Sequence, residues 1–323
     1  PIPMLWVGVD QFFILSGFLI TGILLQSKAE RPGAYFRRFY SRRALRILPA
    51  YFVLLALVTL VFRVDWSGKW YWYAFFLQNF AVAFEGPQSF LNPLWSLAVE
   101  EQFYLVWPLF VYFFDRKALM KILVAMLVAA PALRALFTPL VPRFETIFCL
   151  TPFRMDLLAA GSLIAIYWAD DRERAMQWNG AAGRLALATG LLFMGLALAL
   201  PSFRAKANSE SFNILGYSLS VACFSAVLIF VLTLQDGLIY RLLRSQVLVY
   251  LGIISYMMYM AHDPILVLVH GVGSLSRSLA ALMATIGFAS ITWWLIEKPI
   301  LRRGAQTGGG PERQAIRVAT QTT

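Results

Sequence analysis

Four acidic side chains and one imidazole fall inside stretches too apolar for a protein surface. They are Asp10 in "VGVDQFFILSGFLIT", Glu100 and Glu101 in "NPLWSLAVEEQFYLVWPLF", Asp156 in "TPFRMDLLAAGSL" and His262 in "SYMMYMAHDPILVL". A carboxylate or an imidazole within reach of a hydroxyl can take its proton, or can orient another group that does. His262 is the side chain best matched to proton transfer near neutral pH. An ionised carboxylate in hydrocarbon costs about 2.5–3.5 kcal/mol even on the lenient insertion scale, so each needs a partner or a hydrated pocket. For each there is a plainer reading, a buried pair that holds helices together.

Spacing narrows the choices. Glu100 and Glu101 lie about 11 Å in from Pro93 along a helix. Adjacent helical residues point about 100° apart, so one can face a cavity while the other pairs with an arginine. Arg154 and Asp156 are two apart and do not face each other; Asp10 or a glutamate is a candidate partner for Arg154. Ser16 follows Asp10 in the same apolar run. His262 stands before Asp263 and Pro264 in the outer half of its span, and His270 is expected at the interface. Arg38, Arg42 and Arg46 recur at i, i+4 and i+8 with Arg43 beside them, one face of a helix. Such a stripe can hold a phosphate-rich ligand bidentately. It can equally set topology and grip anionic lipids. Glu297 and Lys298 precede Pro299, where snorkelling and helix termination account for them. The sequence has no Gly-rich phosphate loop, HExxH or GxSxG pattern, and Cys149 and Cys223 lie in apolar surroundings that indicate neither a disulfide nor a metal site.

The elements that must position these groups are membrane helices. Charged residues make up 14% of the 323 residues and apolar ones 59%, against about 25% charged in soluble domains. That balance predicts an all-α, polytopic membrane helix bundle. Windows long enough to span fall near 6–26, 46–62, 93–114, 118–140, 147–168, 183–200, 213–235, 248–270 and 278–297. A tenth run, "WYWYAFFLQNFAVAF", is shorter and interrupted by Gln78 and Asn79; it reads as a re-entrant or interfacial segment. With that run not crossing, most of the 28 basic residues, the arginine stripe included, fall on the side of the C-terminus, which the positive-inside rule makes cytoplasmic. The expectation is nine to ten transmembrane helices in one membrane domain over 1–303, with a disordered cytoplasmic tail over 304–323. The net charge of +11 suits lipid head groups rather than nucleic acid. From the residues alone, an enzyme and a transporter of a membrane intermediate stand equally.

The ordered motifs "GVDQFFILSGFLIT", "FYSRRALRILPAY", "NPLWSLAVEEQFYLVWP", "FRMDLLAAGSL", "SYMMYMAHDPIL" and "WWLIEKPILRR" together resemble the acyltransferase-3 family of membrane O-acyltransferases. The resemblance covers about residues 6–303. It implies transfer of an acyl group, usually acetyl, from acetyl-CoA in the cytoplasm to a hydroxyl of a cell-envelope polysaccharide, glycolipid or similar glycoside. No bound cofactor and no metal are implied; acyl-CoA is a co-substrate, and the setting is the bacterial inner membrane. Arg38, Arg42, Arg43 and Arg46 then become a site for the donor's phosphates. Asp10, Glu100, Glu101 and His262 become the candidate catalytic groups, with Ser16, Arg154 and Asp156 as polar support. The family pattern also implies a further helix before Pro1, carrying an arginine or lysine and a histidine base. Asp263 stands where the family has an aromatic residue. A flippase of a glycan intermediate and an inactive truncated member are the alternatives.

Overall fold

The computed structural model describes residues 8–203, 208–269 and 274–307. His270 and the tail from 308 onward lie outside the described residues. All regular structure among the described residues is helical. In chain order the helices are α1 (Gly8–Ser27), α2 (Pro32–Phe62), α3 (Trp70–Ala74), α4 (Gln78–Glu85), α5 (Leu94–Phe113), α6 (Arg116–Phe137), α7 (Phe144–Cys149) and α8 (Met155–Asp170). There follow α9 (Arg172–Met176), α10 (Asn179–Ala199), α11 (Tyr217–Thr233), α12 (Gly237–Leu243), α13 (Gln246–Leu268), α14 (Ser274–Thr292) and α15 (Lys298–Thr307).

Seven of the described helical stretches are long and apolar enough to cross a membrane: 8–27, 32–62, 116–140, 179–199, 212–233, 246–268 and 275–303. Their outer faces carry exposed large apolar side chains, among them Leu60, Leu187, Leu191 and Met283, as an integral membrane protein requires. Helices also stand at the other two expected spans. One is α5, with its two glutamates; the other is α8, only 16 residues long.

Three expectations are corrected. The run 147–168 is not one helix. Pro152 has no amide hydrogen to give, and the chain passes through a 3-10 turn, Thr151–Phe153, between α7 and α8. The span read from residue 46 starts earlier: the helical stretch that carries the arginines is the first half of the same helix, α2, opened by Pro32 at the first helical turn. Pro299 does not end the last span. A π-helical turn, Trp293–Glu297, widens the backbone ahead of it, and α15 continues to Thr307.

The chain falls into two compact units. One holds Pro1–Glu30, Tyr71–Pro87 and Trp95–Gln235; the other holds Arg31–Trp70, Gln88–Leu94 and Asp236–Thr323. In the first, α1 and α8 run side by side in the same direction, with their backbones in direct contact. A Cβ on Gly17 would stand 2.1 Å from the Leu158 carbonyl oxygen, and one on Gly161 would stand 1.9 Å from that of Ile14. Small residues are what let membrane helices approach this closely. Above that contact a directional hydrogen-bond chain crosses the seam. Trp107 of α5 donates to Thr21 Oγ1 at 2.8 Å, and Thr21 donates to Ser162 Oγ at 2.8 Å. α10 lines up along α11, where Asn179 donates to the Phe230 carbonyl (3.2 Å) and to Thr233 (2.9 Å).

Gly161→Val is expected to force α1 from α8, at or beyond the ~3 kcal/mol usual for overpacking a tight contact. Thermal unfolding in detergent reads it, and a melting temperature equal to the wild type would show that the two helices can part without cost.

In the second unit, α13 buries Ile254, Met257, Met260, Ala261 and Pro264. Tyr256 donates to the Ile47 carbonyl of α2 at 3.3 Å, and Tyr259 to the Pro93 carbonyl at 3.0 Å. The inward face of α14 is small, with Ala281, Thr285 and Ala289 buried.

Candidate functional site

Two aspartates anchor the polar interior of the first unit. Asp10 stands near the start of the described part of α1, and Asp156 lies in the first turn of α8, where the helix dipole favours negative charge. Arg154, the residue that caps α8, donates from Nη2 to Asp10 Oδ1, and Ser220 of α11 donates to Asp10 Oδ2 at 2.5 Å. Both oxygens of Asp10 are thus occupied, and Asp10 and Arg154 have no exposure to solvent. A second pair stands beside the first. Arg134 of α6 donates from Nη2 to Asp156 Oδ2 at 2.7 Å, and from Nη1 to the Phe153 carbonyl at 2.6 Å.

Tyr217 joins the pairs. The Arg154 guanidinium carbon lies 4.3 Å from its ring centre and that of Arg134 lies 5.3 Å from it. Phe148 and Phe13 add faces to Arg154 at 5.5 and 5.8 Å. Nε and Nη1 of Arg154 have no hydrogen-bond acceptor; aromatic faces surround the guanidinium instead, each a favourable electrostatic contact for a desolvated cation. Two arginines against two aspartates leave the cluster neutral, which is what allows it to be buried.

Glu100 sits elsewhere. It is half-buried on α5, and Ser16 of α1 donates to its Oε1 at 2.5 Å. Tyr104, one turn along α5, donates to Ser16 Oγ at 2.9 Å. Glu101 is also half-buried, on the next face of α5.

Gln102 completes the motif by repairing a helix break. Between α3 and α4 the backbone turns through Phe76 at a φ of 53°, left-handed and unusual for a bulky residue. Gln102 Nε2 donates to the freed Phe76 carbonyl at 3.1 Å and to Asn79 Oδ1 at 2.9 Å, while Thr151 donates to Gln102 Oε1 at 2.5 Å. Irregular backbone among membrane helices survives where protein satisfies its polar groups. The interruption read at Gln78 and Asn79 is therefore a built feature, and both residues are buried.

The remaining candidates belong to the second unit. Arg38, Arg42, Arg43 and Arg46 all stand on α2. The first three are half-buried and Arg46 is exposed. Arg43 lies 5.9 Å over the Phe39 ring. His262 on α13 places Nδ1 against the Tyr259 carbonyl of its own helix, and its Nε2 is 3.5 Å from Asp263 Oδ1. Glu297 is buried within the π-helical turn, with the charge of Arg46 facing it.

The structure thus gathers Asp10 with Arg154, places Asp156 next to them, and joins Ser16 to Glu100. It places the arginine stripe and His262 in the other unit. Sequence reading missed Arg134, Ser220, Tyr217, Tyr104 and Gln102. Arg134 carried a usable signal, a lone arginine inside an apolar span; the hydroxyls and the amide carried none.

Against known proteins, the family model described as "Acyltransferase domain" matches residues 5–297. The chain is 27% identical to a protein named peptidoglycan O-acetyltransferase OatA from Listeria monocytogenes, over 93% of this chain and 52% of that one. It is 28% identical to a putative peptidoglycan O-acetyltransferase, YrhL, of Bacillus subtilis, over 93% of this chain and 51% of that protein. It is 24% identical to an O-acetyltransferase OatA of Staphylococcus aureus, over 93% and 53%. The chain spans about half the length of the curated relatives it matches. No solved structure matches.

Proposed function

Because the chain belongs to the acyltransferase domain family, we propose that it is a membrane O-acetyltransferase that moves an acetyl group from acyl-CoA to a hydroxyl of a cell-envelope glycan. The names of its relatives put peptidoglycan first among the acceptors to test. The observation that carries the reading is Glu100: a half-buried carboxylate, oriented by Ser16 and standing beside Glu101 on a membrane helix. Asp10, sealed by Arg154 and Ser220, is the contrasting case. It belongs with Arg134, Arg154 and Asp156 to the frame that fixes α1, α6, α8 and α11, and acts on the reaction through α1.

In the proposed step a carboxylate of the Glu100–Glu101 pair takes the proton of the acceptor hydroxyl. The hydroxyl oxygen forms a bond to the thioester carbonyl carbon, the C–S bond breaks, and the thiolate leaves to be protonated as free CoA. His262, with the Asp263 carboxylate beside its Nε2, is the second proton carrier. Arg38, Arg42, Arg43 and Arg46 hold the phosphates of the donor, and charge-assisted contacts of this kind are the strong ones. The membrane arrangement is nine crossings, with α5 and α8 added to the seven, α3 and α4 forming the re-entrant element, and the C-terminus in the cytoplasm of a bacterial inner membrane. Membrane lipids surround the bundle, and no nucleic acid takes part.

Mass spectrometry of envelope glycans from cells with and without the full-length gene tests the reading. Ester-linked acetyl groups that vanish with the gene and return on complementation are expected. Unchanged acetylation, with a glycan precursor trapped on one face of the membrane, would favour a flippase instead.

A further inference from the structure

α12, Gly237–Leu243, buries none of its residues. It opens at Gly237, whose φ of 91° is a left-handed turn that glycine takes without strain. At about 100° per residue its side chains divide into two arcs. Leu238, Leu242, Ile239 and Leu243 fall within about 140° of one another, and Tyr240, Arg244 and Arg241 take the opposite side. The four aliphatic side chains are all exposed, Leu238 by 82% and Leu242 by 57%. Val247, in the first turn of α13, adds another exposed apolar side chain. On the polar arc both arginines are exposed. The Arg244 guanidinium lies 5.1 Å over the Tyr240 ring, and its Nη1 donates to the Tyr240 hydroxyl.

The place of α12 in the chain says what covers the apolar arc. It leads through Arg244 and Ser245 into α13, and Ser245 caps that helix by accepting from the Leu248 amide at 3.4 Å. α13 is long and apolar enough to cross a membrane. A helix tied this closely to the start of a span stands at the membrane boundary. It is about 10 Å long, too short to cross a hydrocarbon core of about 30 Å. An apolar arc opposed by arginines fits the interface, with the leucines in the acyl boundary and the guanidiniums at the level of the phosphates.

We infer that α12 is an in-plane anchor that docks on the anionic phospholipids of the leaflet from which α13 starts. The acyl boundary of that leaflet occupies the apolar arc, and Arg241 and Arg244 take the lipid phosphates. Through the Ser245 cap the depth of α12 sets the depth at which α13, the helix of His262, begins. The inference needs only α12 and the span after it, so it is independent of the acetyl-transfer reading.

The test places a fluorophore on Leu242→Cys, or on Arg241→Cys, in vesicles that hold the full-length protein. The signal of the protein without an added cysteine is subtracted, since Cys149 and Cys223 are free. Lipids brominated near the top of the acyl chain quench from the boundary, and acrylamide quenches from water. On Leu242→Cys the label is expected about 5–10 Å into the boundary, quenched by brominated lipid and shielded from acrylamide. On Arg241→Cys the order is expected to reverse. Brominated phosphatidylglycerol should quench the Leu242→Cys label more than brominated phosphatidylcholine at equal content. High salt, or Arg241→Gln with Arg244→Gln, should remove that difference. A Leu242→Cys label open to acrylamide would overturn the inference. So would a label reached by neither quencher, the result of a second copy or another protein covering the arc. Equal quenching by the two lipids would overturn the assignment to anionic phospholipid.

Discussion

Glu100→Gln is expected to reduce acetyl transfer by at least about 10²-fold, the lower end of what a positioned acid or base contributes. The amide has nearly the size of the carboxylate, and its oxygen can still accept from Ser16, so the α1–α5 contact at 2.5 Å is retained in kind. What it loses is the capacity to take a proton. Glu101→Gln is expected to have an effect of the same order. Its side chain faces a different direction from the same helix turn, so the two substitutions test the two carboxylates of the proposed step separately. Equal amounts of inserted protein in the membrane fraction, together with initial rates, separate loss of chemistry from loss of fold. Normal acylation in both variants would remove the glutamates from the mechanism.

Arg154→Met is expected to be the most destabilising substitution in the first unit, at about 3–5 kcal/mol, because it leaves the Asp10 carboxylate buried without its cation. Asp10 has no exposure through which water could replace the lost charge, and Ser220 alone would remain on it. Asp10→Asn should approach the same loss from the other side, with a guanidinium stranded among Tyr217, Phe148 and Phe13. The double substitution Asp10→Leu with Arg154→Met removes both charges and is expected to be milder than Arg154→Met alone, since an apolar pair of similar volume needs no compensation. Thermal unfolding in detergent measures all three. High salt should change the wild-type value little, because a fully buried pair is poorly screened. Additive losses in the double variant would show that the two side chains do not depend on each other.

The helical class and the positions of the long spans were legible because apolar runs report directly on membrane helices. α1, α5, α10 and α13 fall close to the windows read from hydropathy. The start of α2 was not legible. Its first half is rich in arginine, and hydropathy registers only its apolar second half, although Tyr35, Phe39, Ile47 and Tyr51 continue one buried stripe along the whole helix. The break before α8 was hidden because Thr151 and Pro152 cost little on a hydropathy scale while changing what the backbone can bond.

The same blindness governs the site. Asp10, Glu100 and Asp156 announced themselves as charges where charge is costly. Ser220 and Tyr104 did not, because hydroxyls are common in apolar helices and bond to their own backbone when nothing else is near; Ser16 was singled out only through the resemblance of its motif. Gln102 was masked by two glutamates before it. The pairing of Arg134 with Asp156 needed α6 and α8 to be neighbours, and no spacing in one sequence states that.

The account stands most directly on the transfer itself. Inverted membrane vesicles carrying the full-length protein, given acetyl-CoA labelled in its acetyl carbonyl, should pass the label to an alkali-labile ester on envelope glycan. The Glu100→Gln vesicles should leave the glycan unlabelled at equal protein. Label that appears on glycan at the same rate in wild-type, Glu100→Gln and protein-free vesicles would contradict it.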